Sequence, residues 1–285
     1  MTLSPWSQPL PLSGDDLPDE AVTAILALLN ERFRFDVHNY KDRCIRRRIA
    51  KRLRASGCSD VDSYLARLLG DVHEQDLLLE TLSIHVSRFF RDVEVFRVLE
   101  RRVLPELCTR LRNAGRAELK LWSAGCAEGE EAYSLALLAG ERPPSGLTVS
   151  ILATDVSAAV LAKGREGYYA PGHLSEVPEA LRSTCFTAES GHYRLQARFR
   201  ERVEFRCHDL TAAADYPSAD LILCRNVLIY FSEAEQERIV TRFAAALPVG
   251  GILVLGRTEA LPRRAHPLFH AEFPAERIFR RLAEG

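Results

Sequence analysis

The sequence predicts an α/β protein in which an all-α segment at residues 19–84 precedes a Rossmann-like domain at residues 85–285. Three observations support this fold class. Apolar residues recur at helical spacing, without strand-like alternation, up to about residue 84. After Phe96, short apolar runs alternate with helical stretches, which is typical of βαβ units and a mainly parallel sheet. A stretch at about residues 167–203 interrupts that alternation with tyrosines, prolines and glycines, which indicates an inserted subdomain.

The composition is that of a soluble globular protein, with 47% hydrophobic and 27% charged residues in a chain of 285. A net charge of −1 does not favour attraction of the whole protein to nucleic acid or to a membrane surface. No segment approaches the roughly 20 apolar residues that span a bilayer. The seven cysteines form no C-x-x-C pair, so we expect free thiols and no metal site, in the reducing cytoplasm. The protein is also expected to be a monomer. Residues 1–18 lack the cationic start of a signal peptide and are expected to form a flexible tail.

The all-α segment is expected to contain four helices, each with its own apolar face. These faces carry Val22, Ile25, Leu26, Leu28 and Leu29; Ile45, Ile49 and Leu53; Tyr64, Leu65, Leu68 and Leu69; and Leu77, Leu78 and Leu82. Gly57 and Gly70 stand where helices should end. We therefore predict a small helical bundle.

The second part begins with a predicted helix at about residues 93–112. Strands follow at residues 119–124, 149–153, 203–205, 221–224 and 252–255, with helices between them. In the interrupting stretch, Ser190-Gly191 reads as a turn before a short strand at residues 193–195. This pattern predicts a small antiparallel subdomain inserted in the sheet.

A glycine-containing turn, Gly125-Cys126-Ala127-Glu128-Gly129, follows the first strand. Glycines at such a turn let a ligand approach the backbone, and the following helix offers its N-terminal N–H groups. Asp155 ends the next strand, where Rossmann-like sheets place an acid that accepts ribose hydroxyls. A helix N-cap is the alternative role for Asp155, and the two roles are compatible. Together the turn and the acid predict a nucleoside-type ligand.

Two carboxylates, Glu130 and Glu131, open the helix after this turn. They compensate the helix dipole, but they would repel a phosphate. The electrostatics therefore argue against a dinucleotide and favour a ligand with an ammonium group, such as S-adenosylmethionine. Polar residues also end the strand at residues 221–224, in the block Cys224-Arg225-Asn226-Val227-Leu228-Ile229-Tyr230-Phe231. This is the sheet edge at which α/β folds bind ligands, although a capping Asn226 and a core Tyr230 are the structural alternative.

The sharpest charge feature lies between Glu31 and Arg54, where ten basic and three acidic residues give a net charge of +7. Helical spacing turns the apolar residues of this stretch towards the core and places Arg43, Arg47, Lys51 and Arg54 on the exposed side. A charge run is often only a solvated face. With so little compensation, the candidate partners are nucleic acid or an acidic protein surface.

Four blocks together resemble the CheR family of chemotaxis-receptor methyltransferases, and they occur in order over nearly the whole chain. The blocks are His85-Val86-Ser87-Arg88-Phe89-Phe90-Arg91-Asp92, Trp122 to Ser134, Ala153-Thr154-Asp155 and Cys224 to Phe231. The resemblance implies a class I methyltransferase sheet with a small inserted antiparallel subdomain, preceded by an all-α domain. It also implies methyl transfer from S-adenosylmethionine to glutamate carboxylates on the cytoplasmic helical hairpin of a chemotaxis receptor, which gives methyl esters.

The resemblance carries site roles to matching positions of this chain. Cofactor contacts are implied at His85, Ser87, Arg91, Glu130, Asp155, Asp209, Leu210, Arg225 and Asn226, to which the glycine turn adds Gly125. Arg91 and Tyr230 match the positions that line the reacting centre. A basic helix that carries Arg43, Arg46, Arg47, Lys51 and Arg54 would dock the acidic receptor, with no nucleic acid involved and no insertion into the membrane.

The chain departs from the family's usual pattern at several of these positions. His85 stands where the family usually has Asn, and Asp209 stands where Asn is common. In the family's Ser/Thr-Gly-Glu-Glu-Pro-Tyr-Ser turn, Glu128 precedes Gly129 here and Ala132 replaces the proline. These departures leave open a degenerate relative that binds S-adenosylmethionine or docks receptors without turnover. An RNA methyltransferase is disfavoured because the chain lacks the Asn/Asp-Pro-Pro-Tyr type of motif.

Overall fold

The computed structural model describes residues 17–33, 42–82, 87–140 and 146–283. The chain divides into two compact units. One unit comprises the chain up to Ile84 together with Tyr230–Ser232, and the other comprises His85–Ile229 and Glu233–Gly285. The flexible tail expected at residues 1–18 falls almost entirely on residues 1–16, which lie outside the described residues.

The first unit is all-α, as predicted. Within the described residues its helices are α1 (Asp19–Phe33), α2 (Asp42–Ser56), α3 (Val61–Gly70) and α4 (Val72–Leu82). Most side chains predicted to face the core are buried, with Ile49 and Leu53 of α2 fully inaccessible, and the others are half-buried except Leu69. Leu69 is 71% exposed, because it lies about 100° around the helix from the buried Leu68, so its predicted place on the apolar face is wrong. A capping box starts α3, because the Asp60 carboxylate accepts a hydrogen bond from the Ser63 N–H and the Asp60 N–H donates to the Ser63 hydroxyl.

The second unit is built on a mixed β-sheet. Its strands, with those of the inserted subdomain, are β1 (Glu118–Ala124), β2 (Thr148–Asp155), β3 (Tyr168–Tyr169), β4 (Phe186–Glu189), β5 (His192–Leu195), β6 (Val203–Cys207), β7 (Leu221–Cys224), β8 (Ile252–Leu255), β9 (Phe269–Phe273) and β10 (Ile278–Arg281). Seven strands form one sheet in the order β6-β2-β1-β7-β8-β10-β9. The first five strands of that order are parallel, and β10 is antiparallel to both of its neighbours. The predicted fold class is therefore confirmed.

The helices of this unit lie between the strands along the chain. They are α5 (Val93–Val98), α6 (Leu104–Asn113), α7 (Glu130–Ala139), α8 (Ala158–Glu166), α9 (Glu179–Cys185), α10 (Ala197–Arg200) and α11 (Glu233–Ala246). The single helix predicted at about residues 93–112 contains a π-helical turn at Leu99–Val103, which separates α5 from α6. None of the helices in the described part of the chain is long and apolar enough to span a membrane.

The inserted subdomain is a three-stranded antiparallel sheet in the order β3-β5-β4. Ser190 and Gly191 connect β4 to β5 with φ angles of 48° and 80°, which two-residue hairpin turns require. A short 3₁₀ helix, Pro171–Leu174, follows β3. The predicted antiparallel subdomain is thus present.

The parallel strands determine where polar side chains meet. The strands β1, β2, β6, β7 and β8 run in one direction, so the loops after them gather at one edge of the sheet. The strands β7 and β8 are fully buried, which explains their uninterrupted apolar sequences.

Candidate functional site

The turn after β1 is shaped by two glycines. Gly125 and Gly129 have φ angles of 78° and 90°, in the left-handed region that favours glycine. A Cβ atom on Gly125 would collide with Val227, and one on Gly129 would lie 2.6 Å from the Phe205 ring. The Gly125 N–H donates to the Thr154 carbonyl at 2.8 Å and so ties the turn to the end of β2. The glycines therefore make a close-packed loop at the carboxyl edge of the sheet.

Asp155 is buried at the end of β2 and faces the same turn. Its Oδ2 accepts the Ala127 N–H at 3.0 Å, and its Oδ1 accepts the Ser157 N–H at 3.0 Å. The alternative N-cap role for Asp155 is wrong, because Ser157 caps α8 through the Val160 N–H. Carboxylate oxygens accept more than one hydrogen bond each, so these two bonds are compatible with the predicted contact to ribose hydroxyls.

Glu130 is fully buried at the first position of α7. Its Oε1 lies 2.7 Å from the His173 Nδ1. Its Oε2 is buried and has no hydrogen-bond partner among the described residues. Such an atom is costly to leave unpaired, so it points to a cationic or hydrogen-bond-donating ligand.

Arg225 is the first residue after β7, and its side chain is buried in a network of ion pairs. Its Nη2 donates to the Asp92 Oδ2 at 2.6 Å, and its Nη1 contacts the Glu131 Oε2 at 3.3 Å. Glu131 also accepts a hydrogen bond from the Ser123 hydroxyl at 2.8 Å, and burial raises the pKa of its carboxyl group. The guanidinium predicted to contact the cofactor is thus engaged mainly by two carboxylates of the protein.

Asn226 adopts a left-handed conformation with a φ angle of 61°, held by the carboxylate of Glu259. The Glu259 Oε2 accepts the Asn226 N–H at 2.9 Å and the Gly256 N–H at 2.6 Å, and its Oε1 accepts the Ile229 N–H at 3.2 Å. Burial raises the pKa of Glu259 against these hydrogen bonds. The side-chain Oδ1 of Asn226 is buried and unpaired within the described part of the chain.

We expect Glu259→Gln to lower the free energy of unfolding by about 2 kcal/mol, since an amide nitrogen would face backbone N–H groups that have lost their acceptor. Chemical denaturation measures the loss. Glu237→Gln on α11 is the control, because Glu237 forms an ion pair with the exposed Arg264. Equal stability of the two variants would contradict this role of Glu259.

The loop after β6 carries Asp209 and Leu210, two predicted cofactor contacts. The Asp209 Oδ1 accepts the backbone N–H and the hydroxyl of Thr211, at 2.7 and 2.8 Å, so it forms a local turn. The backbone N–H of His208 donates to the Asp155 carbonyl at 3.0 Å. This bond places the loop beside the end of β2.

The segment before α5 carries Arg91 between two residues in left-handed conformations. Phe90 and Asp92 have φ angles of 54° and 61°, which cost of order 1–3 kcal/mol each and persist only where the surroundings enforce them. The Phe90 N–H donates to the Ser134 hydroxyl at 2.9 Å, and Asp92 is held by Arg225. The half-buried Arg91 is therefore fixed on both sides by interactions of its neighbours.

For the three remaining predicted site residues, His85, Ser87 and Tyr230, the structure gives fewer contacts. His85 lies outside the described residues, and Ser87 is half-buried at the start of the segment that carries Arg91. Tyr230 belongs to the same compact unit as the first four helices, and the Arg48 guanidinium lies 4.5 Å from the centre of its ring.

The basic helix predicted to dock a partner is α2. Arg47, Lys51 and Arg54 are exposed, as their spacing predicts. Arg46 instead forms an ion pair with the first residue of α1, and its side chain is 15% exposed. The side chain of Arg43 lies outside the described residues. Fewer basic side chains of this helix are therefore accessible than the sequence suggested.

Glu128, Glu130 and His173 form the tightest group of ligand-type side chains in the described part of the chain, with ligand atoms within 4.8 Å of one another. Lys163 lies 3.4 Å from Glu128, and His173 bonds Glu130. Both carboxylates therefore have a protein partner, and we interpret the group as ion pairs and not as a metal site.

Two residues of the site were not singled out from the sequence. The contact between His173 and Glu130 spans 43 residues, and no spacing rule links such positions. Glu259 carried a usable signal, because an acid four residues beyond a buried parallel strand falls at the ligand-binding edge of the sheet.

Comparison with known proteins gives consistent matches along the chain. Residues 85–275 match the CheR methyltransferase SAM-binding domain, and residues 20–83 match the CheR methyltransferase all-alpha domain. A chemotaxis protein methyltransferase of Listeria monocytogenes is 34% identical over 226 residues, which are 79% of this chain and 84% of that protein. Chemotaxis protein methyltransferase Cher2 of Pseudomonas putida is 31% identical over 226 residues, 75% of this chain and 80% of that protein.

Two further similarities are less informative. An uncharacterized 104.1 kDa protein of Rhodobacter capsulatus is 35% identical over 247 residues, which are 86% of this chain but only 26% of that protein. The solved structure of the glycopeptide N-methyltransferase MtfA with S-adenosylmethionine is similar over 53% of this chain and 52% of that chain. Its sequence identity of 17% and TM-score of 0.32 are too low to add to the argument.

Proposed function

Since the chain belongs to the CheR methyltransferase family, we propose that it transfers the methyl group of S-adenosylmethionine to glutamate carboxylates on the cytoplasmic hairpin of a chemotaxis receptor. The cofactor and the methyltransferase class follow from the family. The choice of glutamate as the acceptor, and of a receptor as the substrate, is the proposal.

The observation that carries the proposal is a pair of buried acceptor atoms at the carboxyl edge of the sheet. The Glu130 Oε2 and the Asn226 Oδ1 lack partners among the described residues, and both belong to predicted cofactor contacts. An ammonium group has three donors and no acceptor, so it fits such atoms, whereas a phosphate does not. Asp155 would hold the ribose hydroxyls, and the close-packed glycine turn would face the ligand.

The chemistry needs little acid–base help. A glutamate carboxyl with a pKa near ~4.3 is already ionised at neutral pH, so no side chain has to remove a proton. S-adenosylmethionine supplies an electrophilic methyl group on a sulfonium. The protein has to orient the carboxylate and exclude water, and orientation supplies most of the rate. Arg91 would steer the carboxylate, and Tyr230 would line the methyl pocket.

Methyl transfer from radiolabelled S-adenosylmethionine to membranes of the source organism tests the reaction. We expect label in receptor bands and its release as methanol by base, because methyl esters are base-labile. Cofactor binding without ester on any receptor would favour the alternative, a regulatory or docking protein without turnover. Base-stable label would exclude a carboxylate as the acceptor.

The exposed face of α2 is the proposed receptor-docking surface, and it consists of Arg47, Lys51 and Arg54, with Arg43 at the same helical spacing. Target glutamates on a coiled coil lie among other acids, so a cationic helix would steer encounter and fix the register. Arg46 contributes less, because it already pairs within its own unit.

We expect the double charge reversal Arg47→Glu/Lys51→Glu to raise the Michaelis constant for the receptor about tenfold at low salt, since two exposed pairs together contribute about 1–2 kcal/mol. The effect should fade with salt, because charges separated by more than about 8–10 Å are screened. Cofactor affinity should not change.

The matched control is Arg101→Glu/Arg102→Glu, which makes the same charge change on two exposed residues of the π-helical turn. Its Michaelis constant should stay near that of the unmodified protein. If Arg47→Glu/Lys51→Glu leaves receptor methylation intact at every salt concentration but abolishes RNA binding, α2 binds nucleic acid and not the receptor.

A further inference from the structure

The two carboxylate oxygens of Glu130 have different surroundings. One oxygen is hydrogen-bonded to the His173 imidazole, and the other is buried without a partner among the described residues. Glu130 itself is fully buried, whereas 30% of the His173 side chain is exposed. A proton on His173 can therefore exchange with solvent, while the charge of Glu130 cannot be compensated by water.

We propose that His173 is a positioning residue for the cofactor ammonium: it fixes Glu130 through one oxygen, keeps the other oxygen available, and releases its proton to the buffer when the ammonium binds. The inference rests on the role of Glu130 in the proposed function. It assigns a residue of the inserted subdomain to the cofactor site. It also implies that cofactor binding is coupled to the release of one proton.

The backbone fixes His173 independently of its side chain. Its N–H donates to the Ala170 carbonyl at 3.0 Å within the 3₁₀ helix. Its carbonyl accepts the Phe89 N–H at 3.0 Å, next to the segment that carries Arg91. The imidazole also packs against the Tyr169 ring, with centroids 5.8 Å apart. His173 is thus a rigid support, and Glu130 is held by a group that does not have to be ordered when the ligand binds.

The charges around the imidazole determine the direction of the proton transfer. The hydrogen bond to Glu130 raises the pKa of His173, burial lowers it, and Glu128, which is paired with Lys163, adds a smaller upward effect. The Tyr169 phenol stays neutral because burial raises its pKa. Arg88, which precedes Phe89, is paired with Glu176. When a second cation reaches Glu130, the carboxylate is shared, and the pKa of His173 falls back towards about 6.5.

Proton release has a definite consequence for the pH dependence of affinity. A ligand that releases a proton on binding binds more tightly as the pH rises through the pKa of the group that loses it. Affinity for an ammonium-bearing ligand should therefore increase above about pH 6.5 and level off beyond the raised pKa of His173.

Titration calorimetry with S-adenosylhomocysteine, which carries the same ammonium group, tests the inference without any receptor. Measured at pH 7 in phosphate and in Tris, binding should be more exothermic in Tris, because Tris takes up the released proton with heat. His173→Gln should remove the difference between buffers yet keep affinity within about threefold, since its amide still donates to Glu130. His173→Ala should weaken binding about tenfold, the effect of losing one hydrogen bond to a charged group.

His192→Gln is the control, because His192 lies in the same subdomain, is exposed and stacks on Tyr168. It should retain the buffer dependence. Equal binding heats in both buffers for the unmodified protein, or full affinity of His173→Ala, would overturn the inference. Failure of receptor methylation alone would overturn only the proposed function, whereas failure of the unmodified protein to bind S-adenosylhomocysteine would overturn the ammonium site itself.

Discussion

Arg91→Ala is expected to lower the rate of methyl transfer about 100-fold or more and to lower cofactor affinity far less. Removal of one preorganised donor at a reacting centre typically costs 10²- to 10³-fold in turnover. Arg91 lies between Phe90 and Asp92, two residues held in left-handed conformations, so its backbone is fixed before substrate arrives. If Arg91 has the proposed role, a guanidinium carried by a fixed backbone would orient the acceptor carboxylate with less reorganisation.

The measurement is single-turnover methylation together with calorimetric binding of S-adenosylhomocysteine. Arg88→Ala is the control, because Arg88 lies in the same segment and forms an ion pair with Glu176. If Arg91→Ala loses cofactor affinity in proportion to its activity, Arg91 binds the cofactor and does not orient the acceptor carboxylate.

The second large effect is expected at the cofactor. Glu130→Gln should weaken S-adenosylhomocysteine binding about 30-fold or more, because truncating one partner of a buried charge pair costs at least about 2 kcal/mol. Asp155→Ala should weaken binding by about 1.5–3 kcal/mol, the range for hydrogen bonds to a charged group. Both losses can be measured by calorimetry.

Adenosine separates the two roles, because it has the ribose but no ammonium group. Glu130→Gln should bind adenosine as well as the unmodified protein does, whereas Asp155→Ala should lose affinity for both ligands. Glu128→Gln controls for charge at the same turn, since Glu128 is paired with Lys163. If Glu130→Gln loses the same affinity for both ligands, Glu130 does not bind the ammonium group.

The sheet and the gathering of its loops could be predicted because each rests on a local pattern. Buried parallel strands give continuous apolar runs, as at Leu221–Cys224, and polar residues after them must fall at the same edge. The exposed positions of α2 followed from helical spacing in the same way. What this local pattern could not supply was the partner of each polar group.

The role of a polar side chain often depends on a partner that is distant in the sequence, which a local pattern does not reveal. Arg46 and Arg47 are neighbours in a basic run, yet Arg46 pairs with Asp19 on another helix, whereas Arg47 is exposed. The N-cap alternative for Asp155 failed because Ser157, two residues on, caps the helix instead. His173 could be found only from the structure, because it approaches Glu130 through the packing of an inserted subdomain.

The carboxylate of Glu259 couples the loop after β7 to the loop after β8, so substitutions in the two loops should affect one another. It accepts hydrogen bonds from Asn226 and Ile229 after β7 and from Gly256 after β8, and a Cβ atom on Gly256 would lie 2.7 Å from the Asn226 nitrogen. Residues that share one acceptor do not have additive effects when changed. We therefore expect the effects of substitutions at residue 256 to be non-additive with those of substitutions at residues 226 and 259.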